Sequence, residues 1–194
     1  MKNILSILAA AAISGCASGP LDVPGTFLPP QHYQALASAP LCCKSYGDIH
    51  YAPLQRGRTS DALVLPTSPV FEFDGRRSFF AAFELAGGVN RILTVTTEPV
   101  NLTWNPVGHV MVPSVLFLDP DHKKIELVQP QYAVQAKEPG ARALLTVPNG
   151  ARYAVLLSGT GTSGISWPDS DQRSGQLFIR SGPTGKIGVL LLGG

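Results

Sequence analysis

The run PVFEFDGRRSFFAAFEL at residues 69–85 decides the fold class of this chain. Two stretches rich in Phe and Val, residues 69–73 and 78–85, lie on either side of Asp74 and Gly75. An Asp-Gly pair between two apolar runs indicates a hairpin, because both residues tolerate the positive φ angles of a tight two-residue turn. The stretch therefore predicts two antiparallel β-strands.

Short apolar runs separated by turn residues continue on both sides of this hairpin. Residues 91–97 contain the near-alternating run ILTVTT, which is typical of a strand with one wet face. Asn149-Gly150 predicts a second hairpin, and Pro113 predicts an edge position or a bulge. The apolar run GVLLL at residues 188–192 predicts a strand buried on both faces. That last strand covers residues 187–192, and the other predicted strands cover residues 49–51, 62–65, 110–118, 124–128, 142–147, 152–158 and 176–180.

This spacing predicts an all-β fold. About eight to ten short strands with regular turn signals favour an antiparallel β-sandwich or a jelly-roll-like domain. The 17 prolines and 20 glycines among 194 residues agree with many turns and few long helices. We expect one such domain over residues 42–194.

The amino terminus predicts export and lipidation. Residues 1–3 carry one positive charge, and residues 4–13 are apolar except for Ser6. An apolar run of about ten residues is too short to span a bilayer, which takes about 20. It ends in ISGC at residues 13–16, which resembles a lipobox that directs cleavage before a lipidated Cys16. The alternative is an ordinary secretory leader with a cysteine near its cleavage site.

Residues 1–15 are therefore the predicted lipoprotein signal peptide, and residues 16–41 a lipidated, Pro/Ala-rich tether. Within the tether, residues 31–36 are compatible with one or two helical turns. Stable membrane attachment takes at least two acyl chains, and a diacylglycerol plus an amino-terminal acyl chain supply them. The residue after the cysteine is Ala17, which by resemblance to other lipoproteins implies the outer membrane and a periplasm-facing domain.

The charge balance argues against nucleic acid as a partner. Lys and Arg number 15 against 13 acidic residues, a net charge of +2 at pH 7. Nucleic-acid binding takes a clustered basic face. The densest basic group is interrupted by acidic residues and predicts solvated surface; it comprises Arg56, Arg58, Arg76 and Arg77 among Asp61, Glu72 and Asp74.

Four runs give the chain a family resemblance. They are SYGDIHYAPL at 45–54, LTVTTE at 93–98, VMVPSVLFLD at 110–119 and RYAVLLS at 152–158. Their order is similar to that in the maltose operon periplasmic protein (MalM) family. The resemblance implies a periplasm-facing accessory protein of carbohydrate uptake, with no assigned reaction and no catalytic residues. The chain differs from that family in its lipobox and in its Cys42-Cys43 pair.

Cys42 and Cys43 are the only thiols left once Cys16 is acylated. Unpaired thiols rarely persist in an oxidising compartment, so we expect a vicinal disulfide between them. It is either a static ring where the tether meets the domain, which we favour, or a redox-responsive switch; a disulfide to another chain is a third option. A metal site is disfavoured, because no Cys-x-x-Cys or paired His lies nearby.

Two tryptophans are candidate ligand-binding residues. Trp104 lies beside Asn105, and Trp167 lies near Asp169, all in turn-rich segments. Sugars stack on aromatic rings while polar groups bind their hydroxyls, and the four residues offer that combination. The competing interpretation places both tryptophans as plugs at the ends of the core.

No catalytic motif emerges from the remaining polar residues. The histidines at 32, 50, 109 and 122 lack metal-binding or catalytic spacing, and Asp48 and His50 suit an ion pair as well as acid–base chemistry. The glycine-rich run at 158–164 lacks the Lys of a phosphate loop. Aspartates at 119 and 121, and at 169 and 171, fit turns better than a calcium loop. We expect no enzyme, no cofactor and no metal.

Together these features predict a non-catalytic envelope lipoprotein, an accessory or binding module linked to maltodextrin-type carbohydrate uptake. The alternative is a structural lipoprotein that docks an envelope complex through an edge strand or its tether and has no small-molecule ligand.

Overall fold

The computed structural model describes residues 30–99, 109–134, 140–158, 164–168 and 176–193. This part of the chain contains helix α1 (Pro30–Ser38), a 3-10 turn (Tyr46–Asp48) and a series of β-strands. The strands are β1 (Ala52–Leu54), β2 (Thr59–Val64), β3 (Val70–Phe73), β4 (Arg76–Leu85), β5 (Ile92–Glu98), β6 (Ser114–Leu118), β7 (Lys124–Val128), β8 (Ala133–Val134), β9 (Ala141–Thr146), β10 (Tyr153–Leu157), β11 (Gly164–Pro168), β12 (Gln176–Arg180) and β13 (Gly185–Leu192). The predicted all-β sandwich is confirmed.

Two large sheets form the sandwich. The six-stranded sheet has the order β1-β4-β10-β6-β7, with β3 paired to the first half of β4. The five-stranded sheet has the order β2-β13-β5-β9-β8. Neighbouring strands are antiparallel except β1, which runs parallel to β4. Strands β11 and β12 form a separate antiparallel ribbon.

The main core lies between the two sheets. Alternate residues of each strand point inward, since successive side chains in a strand face opposite sides. The six-stranded sheet contributes Phe79 and Phe117, and the five-stranded sheet Leu93 and Ile187; each is fully buried. Burial of this apolar surface is what holds the sheets together.

A second apolar cluster covers the outer face of the six-stranded sheet. Phe71, Phe73 and Phe80 form it together with Leu116 and Val155. The chain around the 3-10 turn packs over these side chains and makes them buried rather than solvent-facing. This sheet is therefore covered on both faces.

The Asp74-Gly75 hairpin is confirmed. β3 and β4 pair antiparallel around it, and the two turn residues have φ angles of 50° and 78°. The second expected hairpin, at Asn149-Gly150, is wrong. β9 pairs in the five-stranded sheet and β10 in the six-stranded sheet. The six residues between these strands form a corner that carries the chain from one sheet to the other.

Three strand predictions also need correction. Residues 49–51 precede β1 and are not a strand, because Asp48 closes the 3-10 turn just before them. The predicted strand at 110–118 starts only after Pro113, and β6 lies inside its sheet, not at an edge. In β13, side chains alternate between buried and partly exposed, so this strand is buried on one face only.

Helix α1 packs onto the sandwich, although it falls within the predicted tether. Ala35 and Leu36 contact the main core, and the Tyr33 hydroxyl donates a hydrogen bond to the Ser181 carbonyl. Helix α1 thus packs as part of the domain. No helix in the described ranges is long and apolar enough to cross a membrane.

Candidate functional site

A cleft of about 770 Å³ opens at one end of the six-stranded sheet. The strand registers bring the starts of β4 and β6 and the ends of β7 and β10 to this end. The volume falls within the range of about 300–1,000 Å³ that is usual for small-molecule sites. The described residues that line it are Tyr33, Leu36, Tyr46, Phe73, Asp74, Arg76, Arg77, Ser78, Val112, Pro113, Ser114, Leu116, Leu127, Gln129, Pro130, Leu157 and Ser158.

Apolar side chains form the floor of the cleft. Leu116, Leu157 and Phe73 belong to the cluster on the outer face of the six-stranded sheet. Tyr46 stands beside them and stacks on Phe73 with ring centroids 6.0 Å apart and planes 20° apart. An apolar floor with an aromatic wall suits a ligand that has at least one apolar face.

Tyr46 is placed by its own turn. The Asp48 carboxylate accepts hydrogen bonds from the Lys44 and Ser45 backbone N–H groups at 3.1 and 2.8 Å. A hydrogen bond from the Ser45 hydroxyl, together with these two backbone bonds, lowers the pKa of Asp48. The Tyr51 hydroxyl donates to the Tyr46 carbonyl at 2.8 Å. Both interactions hold the aromatic ring at the cleft.

Charged groups line the hairpin side of the cleft. Asp74 accepts a hydrogen bond from Lys124 Nζ at 2.5 Å, and this bond raises the pKa of Lys124. Burial raises the pKa of the Tyr46 phenol, and the Asp74 carboxylate raises it further. Arg76 and Arg77, which follow the turn, also face the cleft. Asp74 is thus neutralised locally, while two guanidinium groups remain at the opening.

Two serines form a fixed hydrogen-bond chain on the neighbouring wall. The buried Ser78 hydroxyl donates to the Phe79 carbonyl at 2.6 Å and accepts from the Ser158 N–H at 2.9 Å. Since Ser78 has one proton and uses it there, the Ser158 hydroxyl donates across the 2.9 Å that separates the two Oγ atoms. The lone pairs of Ser158 Oγ can therefore accept a hydrogen bond from a ligand hydroxyl.

The structure brings together two histidines that are far apart in sequence. His32 Nδ1 lies 2.8 Å and His109 Nε2 3.1 Å from the Thr184 hydroxyl. Burial lowers the pKa of both histidines, and the nearby His32 lowers that of His109 further. The described residues supply no group of three or more His, Cys, Asp or Glu side chains that could hold a metal ion. This pair fastens α1 to the sandwich.

The other histidines lie elsewhere. His122 stacks on Tyr153 with a centroid separation of 4.4 Å, and His50 is exposed. The Asp48 carboxylate accepts hydrogen bonds from Lys44 and Ser45 of its own turn. The aspartate at 119 accepts backbone bonds from residues 121 and 123, as a turn residue does.

Cys42 and Cys43 are joined by a disulfide. Their segment runs beside β3: Leu41 forms a parallel bridge with Val70, and the Cys42 N–H donates to the Val70 carbonyl at 2.8 Å. Cys43 packs against the outer-face cluster. The ring thus sits where α1 gives way to the segment that covers this sheet.

The predicted tryptophan site is described only in part. Trp104, Asn105 and Asp169 lie outside the described residues, as does Cys16. Trp167 belongs to β11, where its backbone pairs with Leu177, so it lies in a strand and not in the expected turn. Residues 159–163 of the glycine-rich run are also outside the described ranges.

Sequence reasoning missed the cleft because its residues come from six separate segments. Tyr46, Arg76 and Ser158 carry no shared motif, and the arginines looked like solvated surface. The one available signal was the Arg76-Arg77 pair directly after a tight turn, which places two cations at a sheet end.

No known protein family, curated protein or solved structure matches this chain. The fold and the cleft define a β-sandwich domain with a ligand-sized opening.

Proposed function

We propose that this protein is a lipoprotein of the bacterial outer membrane, anchored through Cys16, whose sandwich faces the periplasm and binds carbohydrate without catalysing a reaction. The observation that carries the proposal is the cleft of about 770 Å³ with its aromatic wall and polar rim. The resemblance to the maltose operon periplasmic protein family supports a role as an accessory of carbohydrate uptake.

The chemistry of the cleft suits a sugar. Tyr46, backed by Phe73, offers ring surface to the apolar face of a pyranose, and Ser158 and Gln129 offer groups to its hydroxyls. The described lining holds no histidine and only one carboxylate, Asp74, which Lys124 already engages. This arrangement favours binding over general acid–base catalysis, which needs a free proton-transfer group.

Calorimetric titration with a panel of neutral and acidic oligosaccharides tests ligand binding. Tyr46→Ala should weaken binding of any positive ligand about tenfold, a loss of about 1.4 kcal/mol. Tyr46→Phe keeps the ring and should bind almost as tightly as the wild type. A panel that gives no heat with any saccharide would overturn carbohydrate binding.

Fractionation tests the anchor. Wild-type protein should sediment with outer membranes and carry acyl chains on its mature amino terminus by mass spectrometry, whereas Cys16→Ala should be released by osmotic shock. A Cys16→Ala protein that stays with membranes after a carbonate wash would contradict lipidation.

The exposed edge strand β7 favours a second candidate function, docking to an envelope protein. Ile125 and Leu127 are each 39% exposed although they lie in a strand. An unpaired edge can add an extended segment of a partner as a further strand. Ile125→Lys should then abolish crosslinking to that partner, while Leu144→Lys, on the other sheet, should not.

A further inference from the structure

The cleft carries more positive than negative charge. Asp74, Arg76 and Arg77 are the ionised side chains of its described lining, so two cations face one anion. Lys124 pairs with Asp74 and adds a third cation at the edge. Any ligand in this cleft meets a local field that favours negative charge.

The two arginines have different roles. Arg77 donates a hydrogen bond from Nη2 to the Ala39 carbonyl, just after α1. The carbonyl partner holds the side chain in place, and Glu72 lies directly across from Arg77 on β3. Arg76 is exposed, and in the described part of the chain neither guanidinium forms an ion pair. One guanidinium is therefore held in place, and the other is available to a ligand.

We propose that the cleft selects acidic saccharides, in which a carboxylate of the sugar binds Arg76 while the ring lies against Tyr46. This inference rests on the proposed carbohydrate-binding function and names its ligand class. The planar guanidinium presents two parallel N–H donors to the two carboxylate oxygens, and such charge-assisted pairs are stronger than neutral hydrogen bonds.

The distribution of polar groups around the arginines fits the same ligand. Ser158 Oγ accepts from a sugar hydroxyl, and the Asp74–Lys124 ion pair keeps the only carboxylate of the described lining from repelling the ligand. A neutral maltodextrin would leave the exposed Arg76 guanidinium without an anionic partner. The charge of the cleft thus distinguishes acidic from neutral sugars, which the family resemblance does not.

The experiment compares tetragalacturonate with its fully methyl-esterified form, which has the same rings without the charge. The acid should bind the full-length protein at least about tenfold more tightly. This advantage should shrink when the salt concentration rises from about 0.05 M to about 0.5 M, because salt screens exposed charges. Arg76→Gln should remove the advantage, whereas Arg58→Gln, exposed and outside the cleft lining, should keep it.

Each outcome separates the two proposals. Equal affinity for acid and ester, or an unchanged preference in Arg76→Gln, would overturn the selection of acidic sugars and leave carbohydrate binding intact. The same holds if neither galacturonate binds while a neutral oligosaccharide does. If no saccharide binds, both the selection of acidic sugars and carbohydrate binding itself are overturned. Arg77→Gln is a poorer main variant, because it also removes the hydrogen bond to the Ala39 carbonyl at the end of α1.

Discussion

The outer faces of the two sheets differ, since one is covered by chain and the other is exposed. The six-stranded sheet carries Phe71, Phe73 and Phe80 outward, and the segment around the 3-10 turn buries them to 8% exposure or less. The five-stranded sheet turns Leu144 outward at 69% exposure, among threonines such as Thr94 and Thr96. The six-stranded sheet thus has an apolar cluster on each face. The five-stranded sheet has one on its inner face, and its outer face is bare.

This difference shows where the chain has placed its cleft. Covering one sheet takes a segment of chain, and the border of that segment creates a concave edge beside Tyr46. On the bare face, a smaller groove of about 270 Å³ lies between Thr59 and Leu144. The larger, ligand-sized site therefore forms where an added layer ends, not where a sheet simply meets solvent.

Removing a large side chain from each outer face should have the largest effect on this comparison. Phe80→Ala should lower the free energy of unfolding by about 3–5 kcal/mol, because it leaves a cavity in a buried aromatic cluster. Leu144→Ala should change it by about 0.5 kcal/mol or less, as expected for an exposed side chain. Urea unfolding measures both. Similar costs for the two variants would contradict the contrast between a covered and a bare face.

Acidification should loosen the end of the sandwich where α1 docks. Burial lowers the folded-state pKa of His32 and His109 below the ordinary value of 6.5. The unfolded chain then binds protons more readily, so stability is full above pH 6.5 and falls as the pH drops from 6.5 through the lowered folded values. The Thr184 hydroxyl lies within hydrogen-bond distance of both rings, and the described contacts bring no carboxylate to the pair.

The melting temperature, measured between pH 8 and pH 5, reports this loss of stability. His109→Gln should make the melting temperature less dependent on pH, whereas the exposed control His50→Gln should not. A wild-type protein whose melting temperature rises from pH 7 to pH 5.5 would contradict burial of a neutral histidine pair.

Sequence patterns predicted the strands of this protein well and its long-range relations poorly. The Asp74-Gly75 hairpin is local, since turn and strands are contiguous and the turn dictates the pairing. The corner at Asn149-Gly150 has equally strong turn residues, but the sheet that each neighbouring strand joins depends on contacts far along the chain. The same limit hid the His32–Thr184–His109 contact, whose members share no local spacing, and the cleft.

A methyl group added to the bare face tests how tightly its centre is packed. A Cβ atom at Gly188 would lie 2.5 Å from Thr96 Oγ1, which donates to the Gly188 carbonyl at 3.2 Å. Gly188→Ala should therefore cost about 1–2 kcal/mol through overpacking and the lost hydrogen bond.

The double variant Gly188→Ala/Thr96→Ala separates the clash from other effects of the new side chain. It should be more stable than the sum of the two single changes predicts, because Thr96→Ala removes the atom that the methyl group meets. Additive losses would show that the two residues do not touch.

Opening the Cys42–Cys43 ring should have the smallest effect on stability, although it lies beside the covered face. A disulfide stabilises mainly by closing a loop in the unfolded chain, and here the two cysteines are adjacent, so the gain is about 1 kcal/mol or less. The Cys42 N–H donates to the Val70 carbonyl through its backbone, and we expect this bond to persist when the ring is opened. Urea unfolding of Cys42→Ser/Cys43→Ser against the oxidised wild type should show this small shift. A loss as large as that of Phe80→Ala would instead make the ring, and not the aromatic cluster, the main attachment of the segment that covers this sheet.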